Sequence, residues 1–117
     1  MPENGKKKIL IVEDDVLIAM DLALIVEEAG GAVIGPFHSV EAALAGLDTD
    51  RLDLAILDFN LGALTSEGIA ARLAEMDVPT AFLTGHSSQD VTGQIPAATV
   101  LEKPVSQAKI ARLLAEL

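Results

Sequence analysis

Acidic side chains follow two apolar segments of the chain, and their types and spacing suit phosphoryl chemistry. Glu13, Asp14 and Asp15 come directly after one segment, and Asp58 comes directly after another. If the two segments are neighbouring strands, these carboxylates crowd together and repel one another unless a cation compensates their charge. Carboxylate oxygens and water are the ligands that Mg²⁺ prefers. The pattern predicts a divalent cation beside Asp58, a carboxylate that can act as a nucleophile and form an acyl phosphate.

Two further polar residues follow later apolar segments and fit the same chemistry. The Thr84 hydroxyl can hydrogen-bond a phosphoryl oxygen, and the Lys103 ammonium can neutralise its charge. Taken singly, each residue is more often an ordinary loop residue, and adjacent acids before a helix often only cap it. Their joint occurrence favours a phosphoryl site. Because the chain has no P-loop and no paired-glycine dinucleotide motif, we expect a partner protein to donate the phosphoryl group.

The elements that must position these residues alternate along the chain. Aliphatic runs bounded by turn residues predict buried strands at residues 8–12, 32–35, 52–57, 80–83 and 99–101. Apolar residues at helical spacing predict helices at residues 16–29, 40–47, 67–76 and 107–117. Each has a residue placed to cap it, in order Asp15, Ser39, Ser66 or Thr65, and Ser106. This alternation predicts an α/β fold: a doubly wound, flavodoxin-like, five-stranded parallel sheet of order 2-1-3-4-5. In such sheets ligands bind beyond the carboxyl ends of the strands, where the polar residues stand.

Composition narrows the possible functions. A length of 117 residues suits one domain, which we expect to span residues 8–117 after a flexible segment at 1–7. The net charge of −10 disfavours direct nucleic-acid binding. The absence of cysteine removes disulfides and thiolate chemistry, and no apolar run approaches the roughly 20 residues that span a bilayer. We expect a cytoplasmic protein without membrane insertion.

At this point the sequence resembles the CheY-like receiver domains of response regulators. The resemblance covers the chain from Lys8 to Leu117, and four separated motifs carry it. They are Ile9-Leu-Ile-Val-Glu-Asp-Asp15, Leu54-Ala-Ile-Leu-Asp-Phe-Asn60, Phe82-Leu-Thr-Gly85 and Leu101-Glu-Lys-Pro104. Each motif is weak alone, but their occurrence together in this order is specific.

The resemblance implies a role in a two-component phosphorelay. Asp58 would accept a phosphoryl group from a histidine kinase or a histidine phosphotransfer protein, with Mg²⁺ or Mn²⁺ bound. Asp14 would ligate the metal directly, Glu13 would act through water, and Asn60 would offer its backbone carbonyl. The protein would not be an enzyme beyond self-phosphorylation and slow autodephosphorylation. Phosphorylation would switch a surface that binds an unidentified protein target, and a homodimer is a further option.

The resemblance also assigns roles to other residues. Thr84 would be the switch hydroxyl and Lys103 the lysine that contacts the phosphate, with a cis bond before Pro104. Asn60 and His86 stand at positions that influence the lifetime of the phosphate. We interpret His86 as an exposed loop residue with a modest effect, and His38 as a loop residue without a motif.

The sequence departs from the family pattern at three places. The family carries an aromatic switch residue three positions before the lysine that contacts the phosphate, and this chain has Val100 there. The loop at residues 61–68 is longer than the corresponding loop of the family and lacks its common Leu-Pro-Gly pattern. Only 18 residues separate Thr84 from Lys103, so the fourth helix should be short or irregular. These traits resemble the receiver subgroup named for its Phe-Ala-Thr-Gly-type motif, which is common in alphaproteobacteria.

Three alternative functions have to be weighed against a phosphorylated receiver. A metal-dependent phosphohydrolase would usually carry a second Asp two residues after its nucleophile, and that position is Asn60. A degenerate receiver that only binds partners is disfavoured by the intact acidic and basic residues. A flavodoxin-like cofactor binder would need a phosphate loop and stacking aromatics, which the chain lacks. The first helix carries more apolar residues than a core requires. The excess suits a kinase or a second copy of the chain, and a helix that is well covered within the fold explains it equally well.

Overall fold

A computed structural model describes residues 7–46, 52–58, 60–61, 64–65, 67–84, 99–102 and 106–116. The strands are β1 (Lys8–Val12), β2 (Ala32–Phe37), β3 (Leu54–Asp58), β4 (Asn60–Leu61), β5 (Leu64–Thr65), β6 (Thr80–Thr84) and β7 (Thr99–Glu102). The helices are α1 (Val16–Glu28), α2 (Val40–Gly46), α3 (Glu67–Glu75) and α4 (Gln107–Ala115).

The central feature is a parallel sheet with the strand order β2-β1-β3-β6-β7. β1 pairs with β2 on one side and with β3 on the other, and Val12 at the end of β1 lies opposite Leu57 near the end of β3. The predicted α/β fold with a flavodoxin-like parallel sheet is confirmed. The short strands β4 and β5 form a separate antiparallel pair in the segment that we predicted to be a long loop.

Helices cover both faces of the sheet because alternate strand residues point to opposite sides. One face packs Leu10 and Val12 of β1 against α2 and α3, through Ala43, Ile69 and Leu73. The other face packs Ile9 and Ile11 against α1 and α4, with the helix residues Leu22, Val26, Ile110 and Leu114. Among the described residues, the buried core is aliphatic apart from Phe82, and the partly buried Phe37 packs against it. This agrees with a composition of three Phe and no Tyr or Trp.

The helix caps follow the sequence. The Asp15 carboxylate accepts from the N–H groups of Leu17 and Ile18, Ser39 Oγ accepts from Ala42, and Ser106 Oγ accepts from Lys109. These bonds satisfy amide groups that the first helical turn leaves without a helical acceptor. These three predicted caps are therefore confirmed, whereas the side chains of Ser66 and Thr65, either of which we predicted to cap α3, lie outside the described residues.

Four of the five strands of the sheet differ from their predicted bounds. β3, β6 and β7 each end one residue later than predicted, at Asp58, Thr84 and Glu102. β2 continues to Phe37, because Gly35 takes a φ of +102° and the register with β1 shifts between Leu10 and Val12. The Gly35–Pro36 peptide bond is cis. A Gly-Pro pair usually indicates a turn, which is why the pattern ended the strand too early. β3 begins at Leu54 rather than at residue 52, since Asp53 bonds to the backbone of Lys8 instead.

Several predictions fall on parts of the chain that the structure does not describe. These are the flexible segment, apart from Lys7, and the short fourth helix between Thr84 and Lys103. Within the described ranges, no helix has both the length and the apolar character needed to cross a membrane.

Candidate functional site

Three carboxylates converge at the carboxyl end of the sheet. Asp58 is the last residue of β3, and Glu13 and Asp14 follow β1 on the neighbouring strand. One carboxylate oxygen from each residue lies within 4.8 Å of the other two. Glu13 is fully buried and Asp58 is 6% exposed, whereas Asp14 is exposed to solvent. The sequence prediction that these three side chains crowd together is therefore confirmed, and the cluster opens to solvent on the Asp14 side.

Backbone hydrogen bonds hold the loop that carries Glu13 and Asp14. The N–H of Glu13 donates to the carbonyl of Phe37 over 2.9 Å, which joins the loop to the end of β2. The N–H of Asp15 donates to Oε2 of Glu13 over 3.0 Å, and the other carboxylate oxygen of Glu13 is buried. Glu13 therefore stabilises the conformation of its own loop through Oε2.

His38 also belongs to this site, which the sequence did not indicate. Its Nδ1 lies 3.0 Å from the backbone carbonyl of Glu13. Because a carbonyl can only accept, Nδ1 carries the proton and donates. We interpreted His38 as a loop residue, and no motif around it signals this contact. Only the pairing of β1 with β2 brings the two residues together.

The donor set fits a small, hard divalent cation. All three groups are carboxylates, and their negative charges at this separation repel one another in a partly buried setting. Mg²⁺ prefers carboxylate oxygens and keeps several waters, which the exposed side at Asp14 allows. The cluster is therefore suited to Mg²⁺ or Mn²⁺.

The remaining predicted site residues are only partly described. The backbone of Asn60 pairs with Thr65 in the β4–β5 pair, two residues beyond Asp58. Thr84 ends β6, one residue beyond Leu83, which lies opposite Asp58. The sheet thus brings the backbone of Thr84 to the same edge as the three carboxylates.

Val100, in the position of the family aromatic, lies opposite Phe82. Lys103, Pro104 and His86 lie outside the described residues.

Comparison with known proteins agrees with this arrangement. The protein-family model of the response regulator receiver domain matches residues 9–115 of the chain. The chain belongs to this family. The receiver domain is similar to the phyllosphere-induced regulator PhyR of Methylorubrum extorquens, with 32% identity over 93% of this chain and 42% of PhyR. The chain spans about half the length of the curated relatives that it matches, which are regulators.

Solved structures share the fold of this receiver domain. SdrG from Sphingomonas melonis is 39% identical, with a TM-score of 0.80 and 94% of each chain covered. A response regulator from Burkholderia pseudomallei is 25% identical, with a TM-score of 0.79, covering 93% of this chain and 66% of that one. That structure is described as containing a phosphorylated aspartic acid, a calcium ion and citrate.

Proposed function

We propose that this receiver domain, spanning residues 8–117, accepts a phosphoryl group on Asp58 from a histidine kinase or a histidine phosphotransfer protein. The observation that carries the proposal is the cluster of Glu13, Asp14 and the buried Asp58 at the carboxyl end of a receiver sheet. The similar Burkholderia pseudomallei regulator supports it, because its structure holds a phosphorylated aspartate together with a divalent ion.

The chemistry follows from the placement of these groups. A carboxylate oxygen of Asp58 attacks the phosphorus of a phosphohistidine, the P–N bond breaks and the imidazole leaves, and an acyl phosphate remains on Asp58. The carboxylates of Asp14 and Asp58 and the carbonyl of Asn60 would hold Mg²⁺ or Mn²⁺, with Glu13 acting through water. The bound cation would supply charge neutralisation for the phosphoryl oxygens.

Thr84 and Lys103 complete the proposed machinery. The position of Thr84 at the end of β6 supports a role for its hydroxyl as a hydrogen-bond donor to a phosphoryl oxygen. Lys103 comes directly after Glu102, the last residue of β7, and would bring a positive charge to the same edge. Phosphorylation would then bias an equilibrium between two surface conformations and so control binding of a protein target. The membership of the Phe-Ala-Thr-Gly-type subgroup and a cytoplasmic location stay predictions.

The first helix offers a surface for the phosphodonor protein. Among the described residues, α1 carries four of the five large apolar side chains that are exposed: Val16, Leu17, Met20 and Leu24. At 3.6 residues per turn, all four fall within roughly 100° of the helix circumference and so form one stripe along one side of the helix. The stripe begins two residues after Asp14, and a donor that brings its phosphohistidine to Asp58 must cover this end of α1. No lysine or arginine occurs between Lys8 and Arg51, so the charged side chains of α1 are all acidic. A partner with complementary charge would therefore present an apolar patch surrounded by basic residues.

Intact mass spectrometry tests the proposal directly. The protein is incubated with Mg²⁺ and phosphoramidate, and we expect one phosphoryl adduct on the wild type and none on Asp58→Asn. Asp53→Asn, which changes the acid just before the same strand, is the matched control and should still be modified. If the wild type gains no adduct with any divalent metal, the protein is a degenerate receiver that binds partners without being phosphorylated. Continuous release of phosphate over many turnovers would show a hydrolase instead.

A further inference from the structure

The loop that carries the metal-binding carboxylates is held at three consecutive peptide groups. The peptide between Val12 and Glu13 donates its N–H to Phe37, and the peptide between Asp14 and Asp15 donates its N–H to Glu13 Oε2. The peptide between Glu13 and Asp14 accepts from Nδ1 of His38 over 3.0 Å. Asp14 therefore lies between two peptide groups that are both anchored.

Peptide planarity gives these anchors their effect. Six atoms from one Cα to the next lie in a plane, so fixing a carbonyl oxygen also restricts the position of the following Cα. The carbonyl of Glu13 shares its plane with the Cα of Asp14. A hydrogen bond to this carbonyl therefore restrains the direction in which the exposed Asp14 carboxylate leaves the chain.

We propose that His38 is a positioning residue for the metal site, and that its Nδ1–H preorganises Asp14 through the Glu13 carbonyl. In this role His38 itself contacts no metal. The inference rests on the proposed metal-binding role of Glu13, Asp14 and Asp58. Outer groups that orient metal ligands contribute to affinity because the metal then binds without ordering the loop. The bond crosses 25 residues of sequence and links the end of β2 to the acidic loop after β1.

Magnesium affinity measured by isothermal titration calorimetry tests this role without phosphorylation. We expect His38→Ala to weaken Mg²⁺ binding by roughly twofold to tenfold, the change that corresponds to losing one net hydrogen bond. His38→Asn should restore most of the affinity, because the Asn amide nitrogen is attached to Cγ as Nδ1 is. His38→Gln, whose amide nitrogen is one atom further out, should not. The chain has no Trp or Tyr, so calorimetry replaces a fluorescence titration.

Ser39→Ala is the matched control. Ser39 is the next residue, and its Oγ accepts one hydrogen bond from Ala42 as the cap of α2. Its loss should lower stability but leave the Mg²⁺ affinity unchanged. If His38→Ala binds Mg²⁺ as tightly as the wild type does, or if the Asn variant binds as weakly as the Ala variant, the positioning role is wrong. A wild type that does not bind Mg²⁺ would overturn the proposed metal site itself.

Nitrogen NMR of the His38 ring in the metal-free wild type provides a second measurement that needs no variant. The hydrogen bond requires a proton on Nδ1, so the neutral ring should be the Nδ1–H tautomer. A neutral ring protonated mainly on Nε2 would contradict the proposal.

Discussion

Asp53 and Asp58 stand at opposite ends of β3, and the fold uses the two carboxylates differently. Asp53 lies just before the strand, where its Oδ2 accepts from the N–H of Lys8 and its own N–H donates to the carbonyl of Lys8, each over 2.8 Å. Asp58 ends the strand, is almost completely buried, and has the carboxylates of Glu13 and Asp14 beside it.

The difference follows from what each end of a parallel sheet provides. At the amino end, backbone donors at the start of β1 lie beside the start of β3, and the Asp53 carboxylate satisfies one of them. At the carboxyl end, the chain turns towards helices on both faces, and side chains from adjacent strands converge there. An acid that bonds to main-chain donors stabilises the sheet, whereas an acid grouped with other acids is suited to hold a cation.

The largest effect is expected for Asp58→Asn. The variant should lose the phosphoryl adduct completely, because the amide is a poor nucleophile and gives no stable acyl phosphate. Without Mg²⁺ it should unfold at a temperature no lower than that of the wild type, since the change removes one of three crowded negative charges. Mass spectrometry and thermal melts measure the two effects. A clear loss of stability would mean that Asp58, like Asp53, mainly supports the sheet.

Asp14→Asn should have the next largest effect. Removing one of three carboxylates from the cluster lowers both ligand charge and ligand number, so Mg²⁺ affinity should fall about tenfold or more. The fold should be unaffected, because Asp14 is exposed. Asp21→Asn, an exposed acid on α1, is the control in the calorimetric titration. Equal losses in both variants would indicate general electrostatics rather than coordination.

Asp53→Ala should show the reverse behaviour. The Lys8 amide would lose its acceptor at a part-buried position, and the free energy of unfolding should fall by about 1 kcal/mol. The Mg²⁺ affinity should not change, because the substitution is at the other end of β3. Urea denaturation and calorimetry measure the two quantities. A weaker metal site in this variant would break the separation between the two ends of the strand.

The smallest effect on the isolated domain is expected for Leu17→Ser, which extends the comparison to the surface beside the carboxyl end. Leu17 is 79% exposed, so stability should change by no more than about 0.5 kcal/mol. Phosphorylation by phosphoramidate should be unchanged, while transfer from a phosphohistidine protein should slow severalfold. Ala108→Ser, at an exposed position of α4, is the control. Equal rates from the protein donor for both variants would remove α1 from the docking surface.

The amino-acid sequence by itself determined the alternation of strands and helices, the caps at Asp15, Ser39 and Ser106, and the site of convergence of Glu13, Asp14 and Asp58. Apolar periodicity and cap chemistry are local signals, and the handedness of crossovers then leaves few strand orders. The acidic cluster was predictable because it needs only that order and the positions of the strand ends.

Tertiary structure alone decided the hydrogen bonds of His38 and Asp53 and the extension of β2 beyond Gly35. The partners of His38 and Asp53 lie 25 and 45 residues away along the chain, so no local pattern identifies them. β2 continues through a Gly-Pro pair because β1 supplies its hydrogen-bonding partner, with the register shifted between Leu10 and Val12. The element types are therefore determined by local sequence, whereas the contacts that orient the acidic loop arise only when β1 pairs with β2.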